Sequence, residues 1–272
     1  MKVRKEEVKR VIEKLREIGG KEEEPPKGVA ARFRFGGGIV QVYHTGSITF
    51  SGKEREKVES EVVKALSEEV LRGREFPIVG CDEAGKGEFF GPLVVACVWA
   101  DRNKYRQLLK LGVKDSKRLD ERRIPKLSEE IKNTCHGRVK VLMPEEYNRL
   151  YRKYRNQNRL LEEVYLEILK ELLKKHGAKV VVIDKFSKSI GERLKEEFPE
   201  VEIVAIPKGE DEPVVAAASI VAKAERLKKL RKMSQELGRK VKEGNLENRE
   251  LLKEIPKEIR YRFVKEHFNV ED

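Results

Sequence analysis

The sequence predicts an α/β protein in two parts: a small α+β unit over residues 1–72, and a larger unit over residues 76–272 in which strands and helices alternate. Three observations carry this. In the first part, three short strands bounded by turn residues lie between two segments of helical apolar period. From Phe76 onward the strands become longer and more apolar and are separated by helix-length segments. Two of these strands, PIVGCD and VVVID, end in acidic residues, where the loops of an α/β fold open onto a ligand crevice.

Taken in order, residues 2–18 form an amphipathic helix with Val8, Val11, Ile12, Leu15 and Ile18 on one face, stopped by Gly19-Gly20. KEEEPPKG reads as a linker turn, followed by the strands VAARFRF, IVQVYH and SITFS. Alternation puts Ala31, Phe33, Phe35, Val40, Val42, Ile48 and Phe50 on the buried face. The opposite face then carries Arg32, Arg34, Gln41, Tyr43, Ser47, Thr49 and Ser51. From residue 26 to Lys53 the chain has four basic residues and no acidic one, so this face offers guanidinium groups, hydroxyls and an aromatic ring to a nucleic-acid backbone. Residues 54–71 return to helical period, and the boundary between the parts falls near Arg72–Phe76.

In the second part FPIVGCD, GPLVVACVWA, GRVKVLMP, AKVVVID and VEIVAIP read as strands. Helices are expected over 102–111, 122–133, about 157–176 and 213–237, the last opening on a proline as a first turn permits. Beyond Asn245 a helical tail is anchored by Tyr261, Phe263 and Phe268.

Bulk properties narrow the function classes. The net charge is +12, with 40% of the 272 residues charged and 39% hydrophobic, which favours a polyanionic partner and a surface rich in ion pairs, as in heat-resistant proteins. Cys81, Cys97 and Cys135 are odd in number and lack metal-ligand spacing, so they read as core thiols of a reducing compartment. His44, His136, His176 and His267 are scattered, against a zinc site. No apolar run reaches the ~18–20 residues of a membrane span, and MKVRKEEVKR lacks the apolar core of a signal peptide. A cytoplasmic protein with no membrane association is expected.

Asp82, Glu83 and Asp184 are the centre of the chemistry. Carboxylates gathered at strand ends repel one another unless a cation compensates them, and oxygen ligands suit Mg²⁺ or Mn²⁺. A pair of such ions can serve in-line phosphodiester cleavage. Neighbouring side chains of a strand point to opposite faces, so Asp82 and Glu83 converge only where the strand breaks, and Ala84-Gly85-Lys86-Gly87 supplies the break. The stretch from Gly80 to Lys86 also fits the GxxxxGK spacing of a phosphate loop. Gly87 replaces the required Ser or Thr, however, and two carboxylates would face the phosphates, so that reading is rejected.

These residues carry a family resemblance. Asp82-Glu83-Ala84-Gly85-Lys86-Gly87-Glu88-Phe89-Phe90-Gly91-Pro92 resembles the opening motif of the type 2 ribonucleases H. Asp115-Ser116-Lys117-Arg118-Leu119 resembles that family's D-S-K-x-L segment, Val180 to Asp184 its third-acid strand, and Val214 to Lys223 its long-helix signature. The motifs come in family order and cover most of residues 77–230. The Phe-Phe-Gly-Pro ending and the N-terminal extension, similar to a TATA-binding-protein fold, resemble ribonuclease HIII rather than HII.

The resemblance implies a ribonuclease-H-like mixed sheet flanked by helices. It implies an endonuclease that hydrolyses the RNA strand of RNA/DNA hybrids, leaving 5′-phosphate and 3′-hydroxyl ends. Asp82, Glu83 and Asp184 match its metal-binding acids, and the fourth catalytic acid falls on Glu210, with Asp211 as the alternative. Gly85, Lys86 and Gly87 would bring backbone groups to the 2′-hydroxyl of RNA, with Lys86 standing where HII has arginine. Ser116, Lys117 and Lys223 are expected to contact phosphates or position acids. Three competing readings remain: HII-like cleavage at single ribonucleotides in DNA, a non-catalytic nucleic-acid-binding protein, and a nuclease of DNA junctions. No protein partner is implied, and a monomer is the default.

Overall fold

The computed structural model describes residues 3–71, 73–113, 119–184, 186–206, 209, 212–246 and 248–268. The first part is a four-stranded antiparallel sheet in the order β1-β2-β3-β4, comprising β1 (Lys21–Glu23), β2 (Val29–Phe35), β3 (Gly38–Tyr43) and β4 (Ile48–Gly52). Helices α1 (Val8–Glu17) and α2 (Arg55–Leu71) cover one face. The alternation is as expected: Ala31, Phe33, Val40, Val42 and Ile48 are buried, with Phe35 and Phe50 packed at the edge of the same cluster.

One element corrects the sequence reading. Lys21–Glu23, expected to be a linker turn, pairs with β2 as a fourth strand, with Glu23 opposite Arg32. Its side chains are all polar, so no apolar alternation marks it. Its backbone groups are satisfied by the open edge of β2 instead.

The second part is a five-stranded mixed sheet in the order β7-β6-β5-β8-β9. Its strands are β5 (Ile78–Ala84), β6 (Leu93–Ala100), β7 (His136–Leu142), β8 (Val180–Asp184) and β9 (Glu202–Ile206). The β5–β6 and β6–β7 pairs are antiparallel, and the β5–β8 and β8–β9 pairs are parallel. The four expected helices appear as α3 (Arg102–Leu111), α4 (Ile124–Thr134), α6 (Gln157–His176) and α8 (Pro213–Leu237). Three further helices were not read from the sequence as separate elements: α5 (Pro144–Tyr154), α7 (Ile190–Glu197) and the short α9 (Arg249–Glu254) in the tail. The first two are short and strongly polar, and only one edge of each reaches the core. Every residue of β6 is buried, because α8 with α4 covers one face of the sheet and α6 the other.

The cluster under α8 runs without a break into the core of the first sheet. A buried ionic network reinforces this junction. Arg74 donates to Glu212 at 2.7 and 2.9 Å and to Glu7 at 2.7 Å, and the Tyr105 hydroxyl donates to Glu212 at 2.5 Å. Arg4 closes it against Glu7 at 3.1 Å. Burial works to raise the Glu7 pKa, but Arg74 and Arg4 more than offset it and hold the carboxyl below its ordinary range.

The cysteines are a second correction. Cys81 and Cys97 stand opposite each other in the β5–β6 register and are joined in a disulfide, and only Cys135 is a free buried thiol. Their 16-residue separation in sequence gives no sign of the pairing, which antiparallel register alone creates. In the tail Phe263 is buried, whereas Tyr261 is 40% exposed and does not anchor the chain. Among the described residues no helix is long and apolar enough to cross a membrane.

Candidate active site

Parallel pairing of β5 with β8 aligns Cys81 with Ile183, so the next residues along each strand, Asp82 and Asp184, are neighbours at the same end of the sheet. The strand runs on past both acids and breaks within the expected Ala84–Gly87 stretch. β5 continues through Ala84, and the irregular backbone begins at Gly85. Asp82 and Glu83 therefore lean to opposite faces. Asp82 is on the α8 side, hydrogen-bonded to Ser219, and the Glu83 amide donates to its Oδ1 at 2.9 Å. This approach of α8 depends on Gly80: a Cβ there would lie 2.3 Å from the Val214 carbonyl carbon.

Glu83 is on the α6 side, where the buried Tyr165 hydroxyl donates to its Oε2 at 2.5 Å and Lys86 approaches its Oε1 at 3.8 Å. Lys86 in turn lies over the Phe186 ring, 4.7 Å from its centre. Asp184 accepts weakly from the Gly209 amide at 3.4 Å. Among the described residues no three His, Cys, Asp or Glu side chains close into a ready metal cage.

The electrostatics reflect this crowding. Burial, then the neighbouring Glu83 and Asp184 charges, push the Asp82 carboxyl far above its ordinary value, while Ser219 and the Glu83 amide only partly offset them. Burial and the same carboxylates also push the Tyr165 hydroxyl upward, so it stays a neutral donor to Glu83. Tyr165 reads in the sequence as one more apolar residue of the α6 stripe. Its signal is that a buried tyrosine hydroxyl needs a partner.

The glycine loop is held from behind. Gly85 and Gly87 have φ of 87° and 79°. A Cβ on Gly85 would lie 2.4 Å from the Pro92 carbonyl oxygen and 2.6 Å from Arg226 Nε, so no larger residue fits. Arg226, fully buried on α8, donates to Glu88 and Glu243 at 2.8 and 3.1 Å. Lys223, expected to meet a phosphate or an acid of the site, faces Glu243 at 3.3 Å.

The other expected residues are dispersed or undescribed. Arg32 and Arg34 lie on the first sheet, where Glu23 takes both guanidinium groups, at 2.9 and 2.5 Å. The acid-free stretch from residue 26 to Lys53 thus acquires a carboxylate from β1. Tyr43 is half-buried at the end of β3, on the same outer face. Ser116, Lys117, Glu210 and Asp211 lie outside the described residues.

A mixed five-stranded sheet with acids at the adjoining ends of its two central strands is the architecture of a ribonuclease-H-type endonuclease. Residues 79–270 match the ribonuclease HII family. Ribonuclease HIII of Aquifex aeolicus (strain VF5) is 34% identical over 238 residues, covering 86% of each chain. The crystal structure of Aquifex aeolicus RNase H3 superposes with a TM-score of 0.62 at 31% identity, covering 100% of this chain and 99% of the other. That of Bst-RNase HIII in complex with Mn²⁺ has a TM-score of 0.67 at 23% identity, covering 99% and 95%, and shows the shared fold. The chain belongs to the ribonuclease HII family and, within it, to the ribonuclease HIII group, and is an endoribonuclease hydrolase.

Proposed function

We propose that this endonuclease hydrolyses the RNA strand of RNA/DNA hybrids in a divalent-metal-dependent reaction, leaving 5′-phosphate and 3′-hydroxyl ends. The observation that carries the reading is Asp82, held beside Glu83 and Asp184 at the adjoining ends of β5 and β8, with its carboxyl pushed upward by burial and then by their charge. Such a donor set is all hard oxygen and short of positive charge, which fits Mg²⁺ or Mn²⁺. Bst-RNase HIII, of the same fold, has been crystallised with Mn²⁺. Asp82, Glu83 and Asp184 would hold one or two ions, with Glu210 completing the set. Metal bound there supplies the charge that makes water a nucleophile and steadies the departing 3′ oxygen. Tyr165 and Ser219 fix the two acids in their rotamers. The loop Gly85-Lys86-Gly87 meets the 2′-hydroxyl, which sets RNA apart from DNA.

A labelled hybrid longer than one helical turn, beside a DNA duplex carrying one ribonucleotide, tests the reading in Mg²⁺, Mn²⁺ and chelator. Cleavage of the hybrid alone, and only with metal, is expected. Cutting of both substrates would shift the specificity to the HII type, and cutting of all-DNA junctions would shift it to junctions. Binding without cleavage in every metal would leave only nucleic-acid binding.

The first sheet serves as the substrate-binding unit in this reading, with Arg32, Arg34 and Tyr43 on its outer face. Hydrogen bonds from Arg34 and Arg32 hold the Glu23 carboxyl below its ordinary range, so it is an ionised competitor for whatever phosphate these arginines meet. Glu23→Gln is therefore expected to tighten hybrid binding at low salt and to steepen the fall of affinity with salt. Titration of labelled hybrid at several salt concentrations checks this. An unchanged slope would remove the arginine pair from the interface.

A further inference from the structure

We infer that Asn245 and Lys265, from the C-terminal tail, are positioning residues that hold the glycine loop in the form that reads the 2′-hydroxyl. The inference rests on the role given to that loop above. Lys265 is buried, and its Nζ donates to the Gly85 and Glu88 carbonyls at 2.8 and 2.5 Å. The Asn245 side chain bridges the loop's far end: Nδ2 donates to the Gly87 carbonyl at 2.9 Å, and Oδ1 accepts from the Phe89 amide at 2.9 Å. The backbones join as well, Lys265 N–H to the Phe89 carbonyl at 2.7 Å and Gly91 N–H to the Phe263 carbonyl at 2.8 Å. The Gly244 amide and Arg226 of α8 both donate to the Glu88 carboxylate, so the loop is tied to the tail at Gly244, Asn245 and Lys265 and to α8 at Arg226.

Peptide planarity turns these anchors into orientation. In a trans peptide the C=O and the following N–H point in opposite directions. Drawing the Gly85 carbonyl onto Lys265 therefore aims the Lys86 N–H away from the tail. That N–H finds no acceptor among the described residues. A Cβ built on Gly87 meets no atom within 4 Å, so the loop is open at that residue. Glycines at positive φ do not hold such a peptide by themselves, because glycine has many accessible backbone states. The orientation comes from the tail, with a weak turn bond inside the loop from the Glu88 N–H to the Gly85 carbonyl at 3.4 Å. Burial and then the Arg226 charge lower the Lys265 pKa to about 7, and the amine donates to both carbonyls in either protonation state.

The test measures affinity in EDTA for an RNA/DNA hybrid and for the DNA duplex of the same sequence, in the full-length protein and in Asn245→Ala, Asn245→Asp and Lys265→Met. Asn245→Asp keeps the acceptor for Phe89 N–H and loses the donor to the Gly87 carbonyl. Melting curves select the folded variants, and the two substitutions at the half-buried Asn245 should melt close to the parent. The expected result is a fall of about tenfold in the preference for hybrid over DNA, the worth of one well-placed hydrogen bond, with DNA affinity within twofold of the parent. In Mg²⁺ the same variants should raise KM and leave kcat near the parent's. A preference unchanged within twofold in the Asn245 variants, or equal weakening towards both duplexes, would overturn the inference, since loss of structure alone cannot tell RNA from DNA. A parent that shows no preference would instead overturn the loop's role, and the inference would fall with it.

Discussion

Asp82→Asn should abolish hybrid cleavage, on the order of a thousandfold or more, while leaving hybrid affinity in chelator near the parent value. It should also make the metal-free protein more heat-stable at neutral and alkaline pH. The substitution removes one of three carboxylates crowded at the β5 and β8 ends and keeps an oxygen to accept the Glu83 N–H. The sign follows from linkage. The Asp82 carboxyl is raised in the folded chain by burial and by Glu83 and Asp184, so the folded state holds a proton that the unfolded state has lost. Stability from this group is complete below its ordinary pKa and disappears as pH rises through the folded value. The parent's melting temperature should therefore decline over that range without metal and recover when Mn²⁺ is added, because an ion bound only by the folded state stabilises it. Asn does not titrate, and Asp82→Asn should lack both the decline and most of the metal response. Melting curves with and without Mn²⁺, against pH, measure this. A variant that cleaves hybrid in metal would remove Asp82 from the reaction, and an equal metal response would place the ion elsewhere.

The largest effect on stability is expected at Arg74→Met. Arg74 is 8% exposed at the side chain and lies between Glu7 and Glu212, whose side chains are 5% and 3% exposed. Removing the cation leaves the two buried carboxylates, beside the Tyr105 hydroxyl, with only the partly exposed Arg4, 3.1 Å from Glu7 and 3.9 Å from Glu212. Breaking a buried pair in this way costs about 3–5 kcal/mol. For a chain of this size that is a drop of ~10 °C in Tm. Glu212 precedes α8, the helix that carries Ser219, and Arg4 and Glu7 belong to the first part of the chain. A loosened junction should thus also weaken hybrid binding, provided the first sheet contacts substrate. Arg74→Lys keeps the charge but not the fork that reaches both carboxylates, and should fall between the two. A melting temperature within a few degrees of the parent for Arg74→Met would mean that the network contributes little to holding the two sheets together.

The sequence by itself determined the periodic elements and pointed to the acids at the ends of β5 and β8. α6 and α8 have the bounds expected of them, because each is long, caps cleanly at Asn156 or opens on Pro213, and stops at Gly177 or Gly238. The burial of Ala31, Phe33, Val40, Val42 and Ile48 follows from strand alternation, and Asp82, Glu83 and Asp184 are visible because acid after an apolar strand has no packing explanation. What sequence did not decide is whatever depends on a distant partner. β1 has no apolar face and becomes a strand only through the edge of β2, which also brings Glu23 onto Arg32 and Arg34. The Cys81–Cys97 bond exists through register. Tyr165, Ser219, Asn245 and Lys265 occupy ordinary helical or tail positions, and only tertiary structure turns them onto Glu83, Asp82 and the glycine loop. A hydrogen bond spanning 180 residues, as from Lys265 to Gly85, leaves no local trace, because sequence records periodicity and composition while such a contact is set by how whole elements pack.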